Sequence, residues 1–323
     1  MPEISVIMPV YNTKACHLQP AVASILKQTF ADFELLIIDD CSTEDISGLI
    51  KDFADPRIRF VKTEKNGGAG QARNLGLSLA QGKYIALMDS DDIARPHRLQ
   101  TEYDYLEQHP QIDILGSYMQ RFPHKKTLKV PLKHEDIIHE NIFLNCALNN
   151  PSVMFRRNNA IRYEPDRRVA EDYGVWLAQA DKLHFANLPK ILIDYRWEGQ
   201  NITVTHNGRQ SLSTAELQTA KWIEIARSGT MLQPLLIKFV CKETLSEEEI
   251  AELGGFMAVL LRQTEKSSFL CRPKALKYLQ KLLKRIIRKT PDKDYARRLC
   301  ASPLARMLKL PLLFKLKIKL TGK

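Results

Sequence analysis

No apolar run in the 323-residue chain approaches the roughly 18 to 20 residues that carry a helix across a bilayer, which argues against an α-helical integral membrane protein. The start, Met1-Pro2-Glu3-Ile4, lacks a charged stretch leading into an apolar one, so the expectation is a protein kept in the cytoplasm. The six cysteines, Cys16, Cys41, Cys146, Cys241, Cys271 and Cys300, form no C-x-x-C pair and have no histidine at ligand spacing. Neither a zinc site nor a disulfide framework is indicated. Glycines cluster at Gly67-Gly68 and Gly70, but the G-x-G-x-x-G and Walker spacings are missing, so these residues read as a loop entering a helix. Internal repeats and low-complexity segments are also absent.

What is present is enough apolar sequence, 44% of residues, to bury a substantial core, with length suggesting one large domain and an appendage, or two domains. The net charge of +11 is unevenly placed. Residues 256–323 hold 19 Lys and Arg against three acids, whereas residues 1–255 hold 29 against 34. The excess positive charge therefore belongs to the tail.

Apolar, β-branched runs of strand length occupy residues 4–10 and 33–38, with helical spacing of Val22, Ile25 and Leu26 between them. Ser42-Thr43-Glu44-Asp45 offers a side-chain cap before the helical pattern Ile46, Leu49, Ile50, Phe53. Strands are expected over 57–63 and 83–88, helices over 70–81 and 96–108, and a further strand over 112–116. Such alternation predicts an α/β fold, a doubly wound and mostly parallel sheet with helices on both faces. Ligands of such sheets bind beyond the carboxyl ends of the strands. Three polar segments fall there, namely 9–12, 39–42 and 89–92.

Asp89-Ser90-Asp91-Asp92 follows the apolar run Tyr84-Ile85-Ala86-Leu87-Met88. Three carboxylates in four residues repel one another unless a cation sits among them, and a hard divalent ion bridging a phosphate is one such cation. A solvated turn, or a cap in which Asp92 starts the next helix, is the plainer alternative. Glu171-Asp172 precedes Tyr173, Trp176 and Leu177 as acids suited to a helix N-terminus.

The segments Val6-Ile7-Met8-Pro9-Val10-Tyr11-Asn12, Ser24-Ile25-Leu26-Lys27-Gln28-Thr29-Phe30, Asp39-Asp40, Asn66-Gly67-Gly68, Ala72-Arg73-Asn74 and Asp89-Ser90-Asp91-Asp92 occur in this order. Together they resemble the family 2 glycosyltransferases, nucleotide-sugar enzymes of GT-A fold. The resemblance covers about residues 3–205. With Asn150-Pro151-Ser152, Glu171-Asp172-Tyr173 and Tyr195-Arg196, the chain is similar to bacterial enzymes that extend lipooligosaccharide or capsular glycans.

The resemblance implies a UDP-sugar donor, Mn²⁺ or Mg²⁺, and transfer of a hexose or N-acetylhexosamine, with inversion, to a hydroxyl of a surface glycan or glycolipid. Pro9, Tyr11 and Asp40 would hold uracil and ribose, with Asp39 beside them. Arg73 would lie near the diphosphate or sugar, and Asp89, Ser90 and Asp91 would form the D-x-D segment. Asp91 and Asp89 would be the metal residues, Asp91 as the direct ligand and Asp89 nearer the ribose or sugar. Asp172 would be the catalytic base, with Glu171 orienting it or binding the acceptor. His134, Trp176 and Trp197 are candidates for an acceptor pocket or for core and surface positions. Arg196 would contact the diphosphate or make a structural ion pair.

Residues 1–210 are thus expected to form the catalytic domain, with the acceptor side at about 110–210, and 211–323 a helical, basic region. Over 274–289, Leu276, Leu279, Leu282, Leu283, Ile286 and Ile287 recur at helical spacing among lysines and arginines, and 308–320 mixes Leu, Phe and Lys. Peripheral contact with an anionic membrane, at the inner face of the cytoplasmic membrane, is the expected role; a helical bundle with a solvated charged face is the alternative. No nucleic-acid recognition motif is present. A sugar-phosphate nucleotidyltransferase would carry a glycine-rich, basic phosphate loop where Pro9-Val10-Tyr11-Asn12 stands. A non-catalytic membrane-associated scaffold would not require Asp91 and Asp172.

Overall fold

A computed structural model describes residues 1–158, 161–198, 207–290, 292–311 and 314. The chain divides into two compact units, Met1–Ile137 with Ala147–Thr205, and Ile138–Cys146 with His206–Lys323.

The first unit is built on a nine-stranded sheet. Strands β1 (Ile4–Val10), β2 (Phe33–Asp39), β3 (Ile58–Lys62) and β4 (Tyr84–Leu87) alternate with helices α1 (Ala15–Leu26), α2 (Ile46–Lys51) and α3 (Ala69–Leu79). Then come β5 (Ile93–Ala94), α4 (Arg98–Gln108), β6 (Ile114–Phe122), β7 (Thr127–Leu128), α5 (His134–Phe143), β8 (Met154–Arg156), α6 (Glu171–Ala178) and β9 (Phe185–Arg196). The sheet order is β3-β2-β1-β4-β8-β6-β9-β5, with β7 beside β6. The first four strands are mutually parallel, as are β6 and β9, whereas β8 runs antiparallel to both of its neighbours.

Every residue of β1, β2 and β4 is buried, which is why these strands read as continuous apolar runs: helices cover both faces. The order reverses at β1, which pairs β2 on one side and β4 on the other. Such a reversal opens a crevice beyond the carboxyl ends. Gly82 admits the chain into β4, because a Cβ there would lie 2.5 Å from the backbone nitrogen of Ser5. Helix α2 is capped by Asp45, whose carboxylate accepts from the Gly48 amide at 3.0 Å, rather than by the serine at the start of the expected capping segment. Ser42 is instead engaged at the crevice.

The second unit is helical: α7 (Asn207–Ala226), α8 (Gln233–Cys241), α9 (Glu247–Thr264), α10 (Arg272–Lys289), α11 (Lys293–Ala301) and α12 (Pro303–Met307). A Ser246/Glu249 capping box starts α9. The indole of Trp222 donates to the carbonyl of Ile142 at 2.6 Å and lies beside Phe143, so residues from the end of α5 share this unit's core. The apolar stripe of α10, including Leu279, Leu282, Leu283, Ile286 and Ile287, is buried. Most of the expected segment 308–320 lies outside the described residues. Among the described residues no helix is long and apolar enough to cross a membrane.

Candidate active site

The loop after β1 is latched to its neighbours on both sides. Asn12 takes a left-handed conformation, φ 50°, which asparagine tolerates better than most residues. Its Oδ1 accepts from the Thr43 amide at 2.9 Å and hydroxyl at 3.0 Å, and its own amide donates to Ser42 Oγ at 2.9 Å. On the other side the hydroxyls of Thr13 and Ser90 are 2.7 Å apart. Between these latches Tyr11 is left 53% exposed, while Pro9 is buried within β1.

Asp39 and Asp40 differ in task. Asp39 is wholly buried, accepting from the Ser42 amide at 2.9 Å through Oδ1, with Oδ2 3.4 Å from Lys62 Nζ. Both oxygens of Asp40 grip the glycine loop, accepting from the amides of Gly67 at 2.8 Å and Gly68 at 2.6 Å. Gly68 precedes α3 at φ 85°, ψ 165°, a region essentially reserved for glycine. The Arg168 guanidinium donates to Asn66 Oδ1 at 2.6 Å and to its carbonyl at 3.0 Å, tying the β8–α6 connection to the same loop. No local pattern marks Arg168, because its partner is 102 positions away.

Arg73, on α3, is the hinge of the arrangement. It is 4% exposed, donating through Nη2 to Asp89 Oδ1 and through Nη1 to Glu171 Oε1, both at 2.9 Å. Its guanidinium also lies over the ring of Tyr163, 5.5 Å from the centroid. Burial opposes its charge, but Asp89, Tyr163 and Glu171 more than offset that, and its pKa is raised. One cation therefore neutralises a carboxylate from the D-x-D loop and another from the start of α6.

The remaining carboxylates are less well compensated. Burial, then Asp89, pushes Asp91 up to about 6. Burial, then the charges of Asp91 and Asp89, raises Asp92 well above the ordinary carboxylate range. Asp92 does not cap α4. Its Oδ1 accepts the Arg196 amide at 2.8 Å, and its buried Oδ2 has no hydrogen-bond partner among the described residues. Arg196 Nε donates to the Asp91 carbonyl at 2.8 Å and Nη1 meets Glu198 at 3.1 Å, so Arg196 braces the acidic loop from β9.

Asp172 stands at the start of α6, as the acidic pattern predicts. Its Oδ1 accepts the Tyr173 amide at 2.7 Å, and burial, then Glu171, pushes it up to about 6. Ala170, just before the pair, is held at φ 56°. Asn74 fixes the approach by exchanging hydrogen bonds with the backbone of Tyr163 at 2.8 and 2.9 Å. Trp176 is fully buried against Phe155, a core position rather than a pocket wall. Trp197 lies under the Arg121 guanidinium at 3.6 Å, and His134 accepts the Phe185 amide at 3.1 Å.

Among the described residues no group of three His, Cys, Asp or Glu side chains is arranged to hold a metal alone. The orphaned Asp92 oxygen and the raised pKa of Asp91 nevertheless mark an acidic loop short of positive charge. Such a donor set fits a hard divalent ion that phosphate oxygens would also ligate.

A mixed, mostly parallel sheet with covering helices is the fold of the GT-A glycosyltransferases. The profile described as Glycosyl transferase family 2 matches residues 5–169, and the chain belongs to that family: it is a nucleotide-sugar-dependent glycosyltransferase. An uncharacterized glycosyltransferase of Haemophilus influenzae is 30% identical over 240 residues, 69% of this chain and 72% of the relative. The Bacillus subtilis protein TuaG, whose name provisionally assigns it to teichuronic acid biosynthesis, is 29% identical over 210 residues, 62% of this chain and 82% of its own. In fold the chain is similar to residues 1–349 of S. aureus TarS solved with UDP-GlcNAc, at TM-score 0.59 and 18% identity over 99% of this chain and 92% of that one.

Proposed function

We propose that the protein transfers a hexose or N-acetylhexosamine, with inversion, from a UDP-sugar to a hydroxyl of a bacterial surface glycan, in the presence of Mn²⁺ or Mg²⁺. The observation that carries this reading is the span of Arg73 between Asp89 and Glu171, which puts donor-side carboxylates and the acid pair of α6 around one buried cation. The names of TuaG and of the TarS complex support the acceptor and donor classes.

Tyr11 offers an exposed ring for the uracil, with the buried Pro9 and Asp39 at the ends of the paired strands β1 and β2. Asp40 holds the glycine loop and keeps further lone pairs for the base. Asp91, with Asp89 and Ser90 beside it, would hold the divalent ion, which when bound supplies Lewis-acid stabilisation of the departing diphosphate, usually several kcal/mol. Asp172 accepts the proton of the attacking hydroxyl, a step worth about 10²- to 10⁴-fold. Glu171, already paired with Arg73, orients it. Attack from the face opposite the diphosphate inverts the anomeric centre.

The test is thermal stabilisation and turnover with a panel of UDP-sugars, with and without Mn²⁺, in wild type and Asp91→Ala. Mn²⁺-dependent stabilisation and UDP release confined to the wild type are expected; equal background in both would overturn the UDP-sugar and metal-dependent reaction.

Contact with the anionic inner face of the cytoplasmic membrane belongs to the same proposal. Because the apolar stripe of α10 is buried, contact falls to its exposed Lys277, Lys281, Arg285 and Arg288, and is therefore electrostatic rather than insertive. Lys281→Glu/Arg288→Glu should sediment less with phosphatidylglycerol vesicles; unchanged sedimentation would count against it.

A further inference from the structure

An opening in the helical unit plays no part in the chemistry above. It has a volume of about 790 Å³ and lies between the end of α9, the start of α10 and the chain after α12. That is within the range of about 300–1,000 Å³ usual for small-molecule sites. Its walls are of two kinds: Leu261, Leu276 and Met307 are apolar, whereas Arg262, Arg272 and Lys309 are cationic. The one acid in the lining, Glu265, is already paired with Arg272. Arg262 and Lys309 are in no ion pair among the described residues. Lys309 is also fixed in place, at φ 52°, with the Leu308 and Lys309 carbonyls accepting from Gln280 Nε2 at 2.8 and 3.2 Å.

A free anion has no use for the apolar wall, and an uncharged hydrocarbon has none for two uncompensated cations. Residues 206–323 carry 24 Lys and Arg against 10 Asp and Glu, so the unit also attracts anionic surfaces as a whole. We propose that this groove binds a single membrane lipid with an anionic headgroup, the head against Arg262 and Lys309 and an acyl chain along Leu261, Leu276 and Met307. The lipid site deepens the membrane contact proposed above and rests on it, but is independent of the transfer reaction.

Cys271 lines the opening and is exposed, while Cys16 is an exposed thiol in the other unit. Alkylation of the full chain by a maleimide, quantified at each cysteine by peptide mapping, therefore contains its own control. Lauroyl lysophosphatidylglycerol at ten times its Kd should slow Cys271 by about tenfold and leave Cys16 unchanged. Lauroyl lysophosphatidylcholine and inorganic phosphate should protect neither, and Arg262→Glu/Lys309→Glu should lose the protection. An unchanged Cys271 rate in the wild type overturns the site even where vesicle sedimentation persists, and so separates the groove from the membrane contact. Protection by phosphate alone would instead make it a free-anion site. Equal protection by the choline lipid, or protection surviving in the double variant, would remove the role of the cations.

Discussion

Arg73 Nη1 and Glu171 Oε1 meet at 2.9 Å across 98 positions of sequence. The same guanidinium holds Asp89, so the loop after β4 and the start of α6 share one counter-ion. Removing that cation leaves two carboxylates facing each other in a largely buried setting. Arg73→Met should cost about 3 kcal/mol, because breaking a buried ion pair from one side strands the partner's charge. Arg73→Lys keeps the charge but lacks the fork and should recover only part of the loss. Urea unfolding of both variants measures the difference, and equal stability to wild type would show that the bridge is dispensable.

Asp172, at about 6 against about 3.9 for an unperturbed aspartate, ties activity to pH. In its proposed role of base it must be ionised, so kcat/KM should rise with pH up to about 6 and level above. Asp172→Asn should lose at least about 10²-fold in transfer while retaining UDP binding. Near-normal turnover in that variant would strip Asp172 of the role.

The same shift has a stability counterpart of defined sign. A carboxyl whose folded pKa is raised favours folding relative to its ionised form, an advantage present below the unfolded pKa and lost as pH rises through about 6. Compared with wild type, Asp172→Asn should therefore be relatively more stable at pH 7.5 than at pH 3.5 (both about), a difference that paired denaturation curves would show. A stability difference that does not vary with pH would contradict it.

Asp40→Asn turns one of two acceptors toward the Gly67 and Gly68 amides into a donor. Loss of a charge-assisted hydrogen bond should cost about 1.5–3 kcal/mol and weaken UDP binding by calorimetry. Undiminished affinity would divorce the glycine loop from the donor.

Gly68→Ala should destabilise by about 1–3 kcal/mol, since its backbone angles are those of glycine alone. A new Cβ would also sit 3.0 Å from Arg168 Cδ. Thermal melting decides it: an unshifted midpoint would mean that the loop relaxes freely.

The sheet was readable because β1, β2 and β4 are covered on both faces, and uninterrupted apolar runs of that length leave little choice. The start of α6 was readable from Glu171-Asp172, since acids at a helix N-terminus have a local electrostatic cause. Partners far apart in sequence left no comparable mark. Asp92 finds Arg196 across 104 positions, and so serves β9 rather than the nearer α4. Ser42 is drawn to Asn12 and Asp39, which leaves the α2 cap to Asp45. Trp176 carries no outward sign that Phe155 will enclose it.

The nesting of Ile138–Cys146 among the helices of His206–Lys323 makes the polypeptide pass from one unit to the other three times. The tail is consequently no detachable module: a chain ending near residue 205 would deprive Ile142 and Phe143 of Trp222 and leave the greasy end of α5 uncovered. Recombining such tails between relatives would demand exchange of that internal nine-residue segment as well.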